Sequence, residues 1–498
     1  MAHQSEAELG SLSSNPAAQQ RGRLLFVTPE LADFLKVGGL GEVSASLPRA
    51  LRQVTDVRVL LPGYRAVLAA NPDMKIIAKL PAVADISAGE LGEITTEDGL
   101  TIYVVISGSL FDRSGSAYSD DQARPWDDND VRFARLAMAA VELARGLPGI
   151  GWQPDILHLN DWPGALTAGY LKWQGVSAPS ILTIHNLAYQ GNFSPDRLDR
   201  LAIPRSAFSV DGVEFHGYIS FLKAGIYYAS QITTVSAAYA QEITTPEFGC
   251  GLDGLLRARS REGRLSGILN GIDESWDPRT DPHLPHPFDA SDWQGKEANA
   301  RHIREEFGLA VSRGPLFAVV SRLVHQKGLD LTIGAVESIV RDGGQLVVTG
   351  EGEAEVEAAL RATAARHPES IALKIGYDEA AARRFFAGSD FLLMPSRFEP
   401  CGLSQMYAQR FGSLPIAHSI GGLRETIVDG ATGFLFSGAR ADTFEEAIQR
   451  AQHVFERKSD LNAMRKRAMN RPFGWQHAVR AYLEVYRRAL KGTPAAAA

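Results

Sequence analysis

From Arg23 onward, short apolar runs alternate with longer stretches in which apolar residues recur every three or four positions. Leu24-Leu-Phe-Val27 reads as a first buried strand, followed by a glycine-rich loop and a helix over Glu42–Leu51. Val57–Leu61, Ile102–Ile106, Ile156–His158, Ser180–Ile184 and Ile232–Val235 are further strands, with a strongly periodic helix at Val131–Arg145 between them. Residues from about Asp273 to Trp293, rich in Pro, Asp and His, break the pattern and read as a linker. A second series then begins with strands at Leu316–Ser321, Leu346–Thr349, Ala372–Ile375, Phe391–Met394 and Leu414–Ala417. Near the end, Trp475, Ala478, Val479, Tyr482, Leu483, Tyr486 and Leu490 share one helix face. Strand–helix alternation of this kind predicts parallel β-α-β units. The expected class is therefore α/β, two halves facing each other across a linker, and no solenoid-length repeat interrupts them.

Composition narrows the function. A chain of 498 residues is too long for one core and suits two domains. Its net charge of −7 argues against a general nucleic-acid or membrane binder, so an anionic ligand must be held by locally placed cations. Two cysteines, Cys250 and Cys401, cannot make a disulfide framework or a Cys-rich metal site. No apolar run reaches the ~18 residues that span a bilayer. The first residues carry Glu6 and Glu8, several Ser and Ala and no Arg, unlike a signal or transit peptide. The expected division is a disordered tail over 1–21, a first domain over 22–272, a linker over 273–295 and a second domain over 296–474. A closing helix at 475–490 completes it, and the expected home is the cytoplasm.

Candidate chemistry sits where strands end, which is where open α/β sheets bind ligands. Lys36-Val-Gly-Gly-Leu-Gly41 follows the first strand, with Glu30 upstream. Paired glycines admit a close phosphate and Lys36 supplies a charge, although the order is neither that of a Walker loop nor of a G-x-G-x-x-G turn. A plain strand-to-helix turn explains the same residues. Leu157-His-Leu-Asn-Asp161-Trp162 ends one strand with a carboxylate and an exposed-type aromatic, and Thr183-Ile-His185-Asn186 ends the next. Asp161 as a helix cap and His185 as a core residue are the bland alternatives. In the second half, Arg322 and Lys327 of Ser321-Arg-Leu-Val-His-Gln-Lys-Gly328 form the cation pair that a diphosphate leaving group needs. Opposite them, Glu399-Pro-Cys-Gly402-Leu403-Ser404 places a carboxylate and outward N–H groups at a helix start. Ser404 as an ordinary cap is the alternative there. Tyr377, after another strand, can stack on a nucleobase or simply belong to the rim.

Together with Glu247-Phe-Gly and Ile268-Leu-Asn-Gly-Ile-Asp273, these stretches closely resemble the bacterial glycogen synthase and plant starch synthase family, in order and spacing from about Arg23 to Leu490. The resemblance implies the GT-B fold, two Rossmann-like domains with a C-terminal helix that crosses back onto the first. It implies retaining transfer of glucose from ADP-glucose to the non-reducing end of an α-1,4-glucan, such as glycogen. It assigns Lys36, Gly38, Gly39, Arg322, Lys327, Gly402, Leu403 and Ser404 to the donor diphosphate and Tyr377 to adenine. It places Asp161, His185, Asn270 and Glu399 around the transferred glucose, with Glu30, Tyr118 and Trp162 near the donor or acceptor sugars. Neither a metal nor pyridoxal phosphate is expected; the expected partners are the nucleotide sugar and the glucan, with no nucleic acid and no membrane, and the resemblance fixes no oligomeric state.

Val37 stands where the family most often has threonine, and Cys250 where tyrosine is common, which bears on donor affinity and acceptor preference. Tyr407 occupies a position where other retaining enzymes of this fold carry a second glutamate, as is similar in glycogen synthases. Alternatives are a UDP-glucose-using or small-acceptor glucosyltransferase and a catalytically silent glucan-binding protein. The intact Lys36, His185, Arg322, Lys327 and Glu399 speak against silence.

Overall fold

The computed structural model describes residues 22–376 and 378–492, so the expected tail and Tyr377 lie outside the described residues. Two large sheets organise the chain. The first runs Leu265–Gly267, Gln231–Thr234, Ser180–Ile184, Ile156–Asn160, Arg23–Val27, Asp56–Pro62, Thr101–Ile106, Gly89–Thr95 and Lys75–Leu80. The second runs Ile371–Ile375, Gln345–Gly350, Leu316–Val320, Phe391–Met394, Leu414–His418 and Phe434–Phe436. All pairings are parallel except those of Gly89–Thr95, which is antiparallel to both neighbours.

Every expected strand falls on one of these. The central ones are buried on both faces and so read as unbroken apolar runs. In these two sheets the strands the pattern did not reveal are Lys75–Leu80, Gly89–Thr95, Leu265–Gly267 and Phe434–Phe436, and it also missed the small third sheet of Asn192–Phe193, Tyr218–Ser220 and Glu214–Phe215. Lys75–Leu80 buries only Leu80 and Leu265–Gly267 is half-exposed throughout, so edge strands like these lack the apolar signal. Phe434–Phe436 is simply too short to stand out. The helix expected from Glu42 begins earlier, at Gly39, because Gly38 is already extended and the glycines themselves turn into the first helical residues.

Two features tie the halves together. The last helix, Gln476–Lys491, returns to the first sheet and buries Ala478, Tyr482, Val485, Tyr486 and Ala489. Its Tyr486 hydroxyl lies 2.8 Å from His158 Nδ1, and His158 Nε2 lies 2.6 Å from the Thr183 hydroxyl. A buried polar line thus pins the helix to two neighbouring strands. Where the chain crosses over, the Ile272 N–H donates to the Phe473 carbonyl at 2.8 Å. The irregular connection is also packed. Trp276 stacks face to face on Tyr407 with ring centres 3.7 Å apart, the Arg383 guanidinium sits 3.8 Å from the Trp276 ring centre, and Arg383 pairs with buried Asp281 at 2.7 Å. Among the described residues no helix is long and apolar enough to cross a membrane.

Strand order then fixes where a ligand can go. In the first sheet the opening strand Arg23–Val27 lies between Asp56–Pro62 and Ile156–Asn160. In the second, Leu316–Val320 lies between Gln345–Gly350 and Phe391–Met394. Connections leave such a first strand in opposite directions, so a crevice opens at its carboxyl end. The loops that line these two crevices are Thr28–Gly38 with Asp161, and Ser321–Lys327 with Pro395–Ser404.

Candidate active site

In the first crevice, Glu30 is buried and all its interactions are inward. One oxygen accepts the N–H groups of Val37 (2.8 Å) and Gly38 (3.2 Å), and the other accepts the Tyr118 hydroxyl at 2.6 Å. Burial, and then the neighbouring Glu30 charge, hold the Tyr118 phenol far above its usual range, so it remains a donor. Glu30 and Tyr118 therefore shape the glycine loop, a role their grouping with the sugars did not suggest. Lys36 in that loop pairs with Glu42 of the following helix. Trp162, expected to present itself at the strand end, is half-buried. Its ring packs edge-on against Phe133 at 4.7 Å and lies near Phe193 and Phe221. Gly191, with φ of +60°, lets the chain pass over that ring: a Cβ there would come within 2.3 Å of it.

Asp161 opens the helix Asp161–Trp173 with a φ of +50°, a left-handed conformation that aspartate tolerates better than most residues. Its Oδ1 accepts the His185 N–H at 2.7 Å and the Asn186 N–H at 3.4 Å. Burial nonetheless pushes its carboxyl up to about 7, because those two N–H groups offset only part of the desolvation and the Glu30 charge adds to it. His185 is held neutral, with burial pulling its imidazole down to about 3. Its tautomer follows from Asn160. The Asn160 amide donates to the Val27 carbonyl at 2.9 Å, which leaves Oδ1 to accept from His185 Nε2–H at 2.9 Å. His185 Nδ1 is then an acceptor.

Across the cleft, Lys327 Nζ lies 2.6 Å from Glu399 Oε2, with side chains 16% and 7% exposed. The Ser396 hydroxyl donates to the same oxygen at 2.9 Å. Gly328, in the left-handed region at φ +66°, lets the Lys327 turn lie against Pro395, whose carbonyl would meet any Cβ at 2.1 Å. Arg322 is exposed and, among the described residues, makes only long contacts, 3.4 Å to the Tyr189 hydroxyl and 3.5 Å to Gln326. Gly402, at φ +73°, turns the chain into Leu403 and the short helix Ser404–Arg410. Ser404 does not cap that helix. Its hydroxyl donates instead to the Val320 carbonyl at 3.1 Å, joining the two loops of this crevice. Asn270 is buried against Cys401, whose thiol burial pushes up to about 12, and its Oδ1 has no partner among the described residues.

The two crevices face each other. A methyl group on Gly39 would lie 3.8 Å from Leu403 Cδ1, and Arg322 reaches Tyr189. Nearby, the Ser236 hydroxyl donates to the Pro400 carbonyl at 2.6 Å, and the Gly421 N–H donates to Glu242 at 2.9 Å. Lys36, Gly38, Gly39, Asp161 and His185 thus line one wall, and Arg322, Lys327, Glu399 and the Gly402–Ser404 turn line the other. Asn160, Tyr189, Glu42 and Ser396 escaped the sequence reading. Asn160 and Tyr189 stand inside motifs already singled out, while Glu42 and Ser396 gave no signal beyond proximity. Among the described residues no three His, Cys, Asp or Glu side chains gather as a metal-binding group.

A family profile for the starch synthase catalytic domain matches residues 23–258, and one for group 1 glycosyl transferases matches residues 303–470. The chain is 56% identical over 456 residues to glycogen synthase 1 of Bradyrhizobium diazoefficiens, covering 92% of this chain and 99% of the relative. It is 53% identical to the glycogen synthase of Pseudomonas putida, covering 96% and 93%. The solved catalytic domain of starch synthase IV from Arabidopsis thaliana, bound to ADP and acarbose, superposes with a TM-score of 0.85 at 31% identity, covering 95% and 99%.

Proposed function

The chain belongs to the glycogen synthase and starch synthase family of GT-B glycosyltransferases, and on that premise we propose that it transfers glucose from ADP-glucose to the non-reducing end of an α-1,4-glucan with retention of configuration, releasing ADP. Its substrates are a nucleotide sugar and a glucan. The observation that carries the residue assignment is the opposition of two strand-end crevices, one formed by the Lys36–Gly39 loop and the other holding Arg322 and Lys327.

In this reading the diphosphate lies between the Lys36–Gly39 loop and the Arg322–Lys327 pair. Arg322, whose contacts among the described residues are long, can turn onto it. As the bond from C1 to the leaving phosphate oxygen breaks, negative charge grows on that oxygen and the cations stabilise it most at that moment. The incoming 4-hydroxyl attacks C1 from the same face, and its proton passes to the departing phosphate. Asp161, His185 and Glu399 hold the sugar. His185 does so as a neutral ring offering Nδ1, and Glu399 with one oxygen already committed to Lys327 and Ser396. Free Cys250 and Cys401 suit a reducing cytoplasm as the place of reaction.

The test is nucleotide release with glycogen as acceptor, comparing ADP-glucose and UDP-glucose at equal concentration. Growth of the glucan with ADP release is the expected result. Preferential UDP release would overturn the donor assignment, and no release from either would overturn the catalytic one.

A further inference from the structure

A second concavity, of about 380 Å³, opens away from the cleft between the irregular connection and the second half. Asp277, Arg279 and Asp289 of the connection form one wall. Arg410 and Lys466 form the other, each in the last turn of its helix, Ser404–Arg410 and Lys458–Met469. Arg279 is bound by Asp277 through its guanidinium. Among the described residues, neither Arg410 nor Lys466 makes an ion pair, although the Arg410 charge adds to that of Arg279 in holding the Asp277 carboxyl below its ordinary range. A cation at a helix C-terminus is ordinary, since it answers the helix dipole. That explains each of the two alone. It does not explain why both converge on one walled space in a chain whose net charge is −7.

We propose that this pocket binds a small phosphate monoester carrying free hydroxyls, with the phosphate between Arg410 and Lys466 and the hydroxyls toward the connection. Two cations facing one space, neither in an ion pair among the described residues, give a phosphate charge-assisted hydrogen bonds from two sides. On the opposite wall, Asp289 spends Oδ1 on Ser291, and its second oxygen is an acceptor for a hydroxyl. A free inorganic phosphate leaves that wall unused. The ligand would bridge the connection to the helix that starts at the Leu403–Ser404 turn, whose Tyr407 already stacks on Trp276 of the same connection.

Titration calorimetry of the full chain with glycerol 3-phosphate tests this, with saturating ADP present to occupy the cations of the cleft. The expected result is binding that persists with ADP and weakens about tenfold or more in Arg410→Gln/Lys466→Gln. Glycerol should give no heat, and inorganic phosphate should bind more weakly than the ester. Loss of binding on adding ADP would move the site to the cleft and overturn the proposal. Equal affinity in the double variant, or no binding by the wild type at ~10 mM ester, a level that still detects millimolar affinity, overturns it as well. Inorganic phosphate binding as tightly as the ester overturns the choice of ligand. Should the double variant fail to fold, Lys466→Gln alone, at an exposed position, must still bind the ester more weakly, and unchanged affinity refutes the pocket.

Discussion

Replacing Lys327 by alanine separates two jobs of one side chain. In the structure Lys327 neutralises Glu399 at 2.6 Å in a nearly dry setting, with the two side chains 16% and 7% exposed. The gross attraction at that distance is about 6 kcal/mol for an effective dielectric near 20, and much of it offsets desolvation. Removing the lysine leaves Glu399 buried and uncompensated apart from Ser396, at a cost of about 3–5 kcal/mol. For a half of this size that lowers the melting temperature by roughly 6–20 °C. Removing Glu399's charge as well, in Lys327→Ala/Glu399→Gln, should restore most of that loss. Turnover should behave differently. If Lys327 meets charge that develops on the leaving phosphate, kcat falls about 10²–10³-fold in the single variant and is not restored in the double one. Calorimetric melting and initial rates with saturating donor and glycogen measure both quantities. A kcat within twofold of wild type removes Lys327 from the leaving group. A double variant as unstable as the single one refutes the buried-charge argument.

Three further outcomes follow from the same geometry. Glu30→Gln weakens the hold on Val37 and Gly38 by about 1–3 kcal/mol, so steady-state kinetics should show a roughly five- to hundredfold rise in donor KM; a rise confined to the glucan KM would return Glu30 to the acceptor. Asp161 binds its proton more tightly folded than unfolded, so its contribution to stability falls as pH rises from about 4 to about 7. Melting curves should therefore move in favour of Asp161→Asn across that window, and a constant difference would refute the raised carboxyl. His158 and His185, both pulled down to about 3, bind fewer protons folded than unfolded, so stability is lost as pH falls below about 6.5, by at most about 1.4 kcal/mol per pH unit for each. Imidazole NMR should find both rings neutral at pH 5, and a midpoint near 6.5 for either would contradict its burial.

Much of the candidate site was legible because its residues sit in short contiguous motifs at strand ends. Asp161, His185, Arg322, Lys327 and Glu399 each follow an apolar run, and the sheets bring those runs side by side. The roles of individual atoms were less legible. Trp162 reads in sequence as an exposed-type aromatic at a strand end, and only the structure shows its ring packed among Phe133, Phe193 and Phe221. That Glu30 accepts the N–H groups of Val37 and Gly38 and the Tyr118 hydroxyl was not legible in the sequence. The connection from Asp273 reads as loose because Pro and Asp break periodicity, yet Trp276 is buried between Tyr407 and Arg383, more than a hundred residues away.

What the sequence by itself determined is the set of elements and the chemistry at their ends. Burial on both faces of a central strand demands an uninterrupted apolar run, and a helix face demands its period, so each can be read over a few neighbouring residues. The tertiary structure alone decided which strand lies beside which, and hence which loops line the openings after Val27 and Val320. It also decided which proton goes to which oxygen: Lys36 to Glu42, Ser404 to Val320, His185 to Asn160, Arg322 toward Tyr189. Hydrogen bonds and ion pairs act over about 3–4 Å and depend on angle, so they exist only once packing has set positions that sequence distance does not encode.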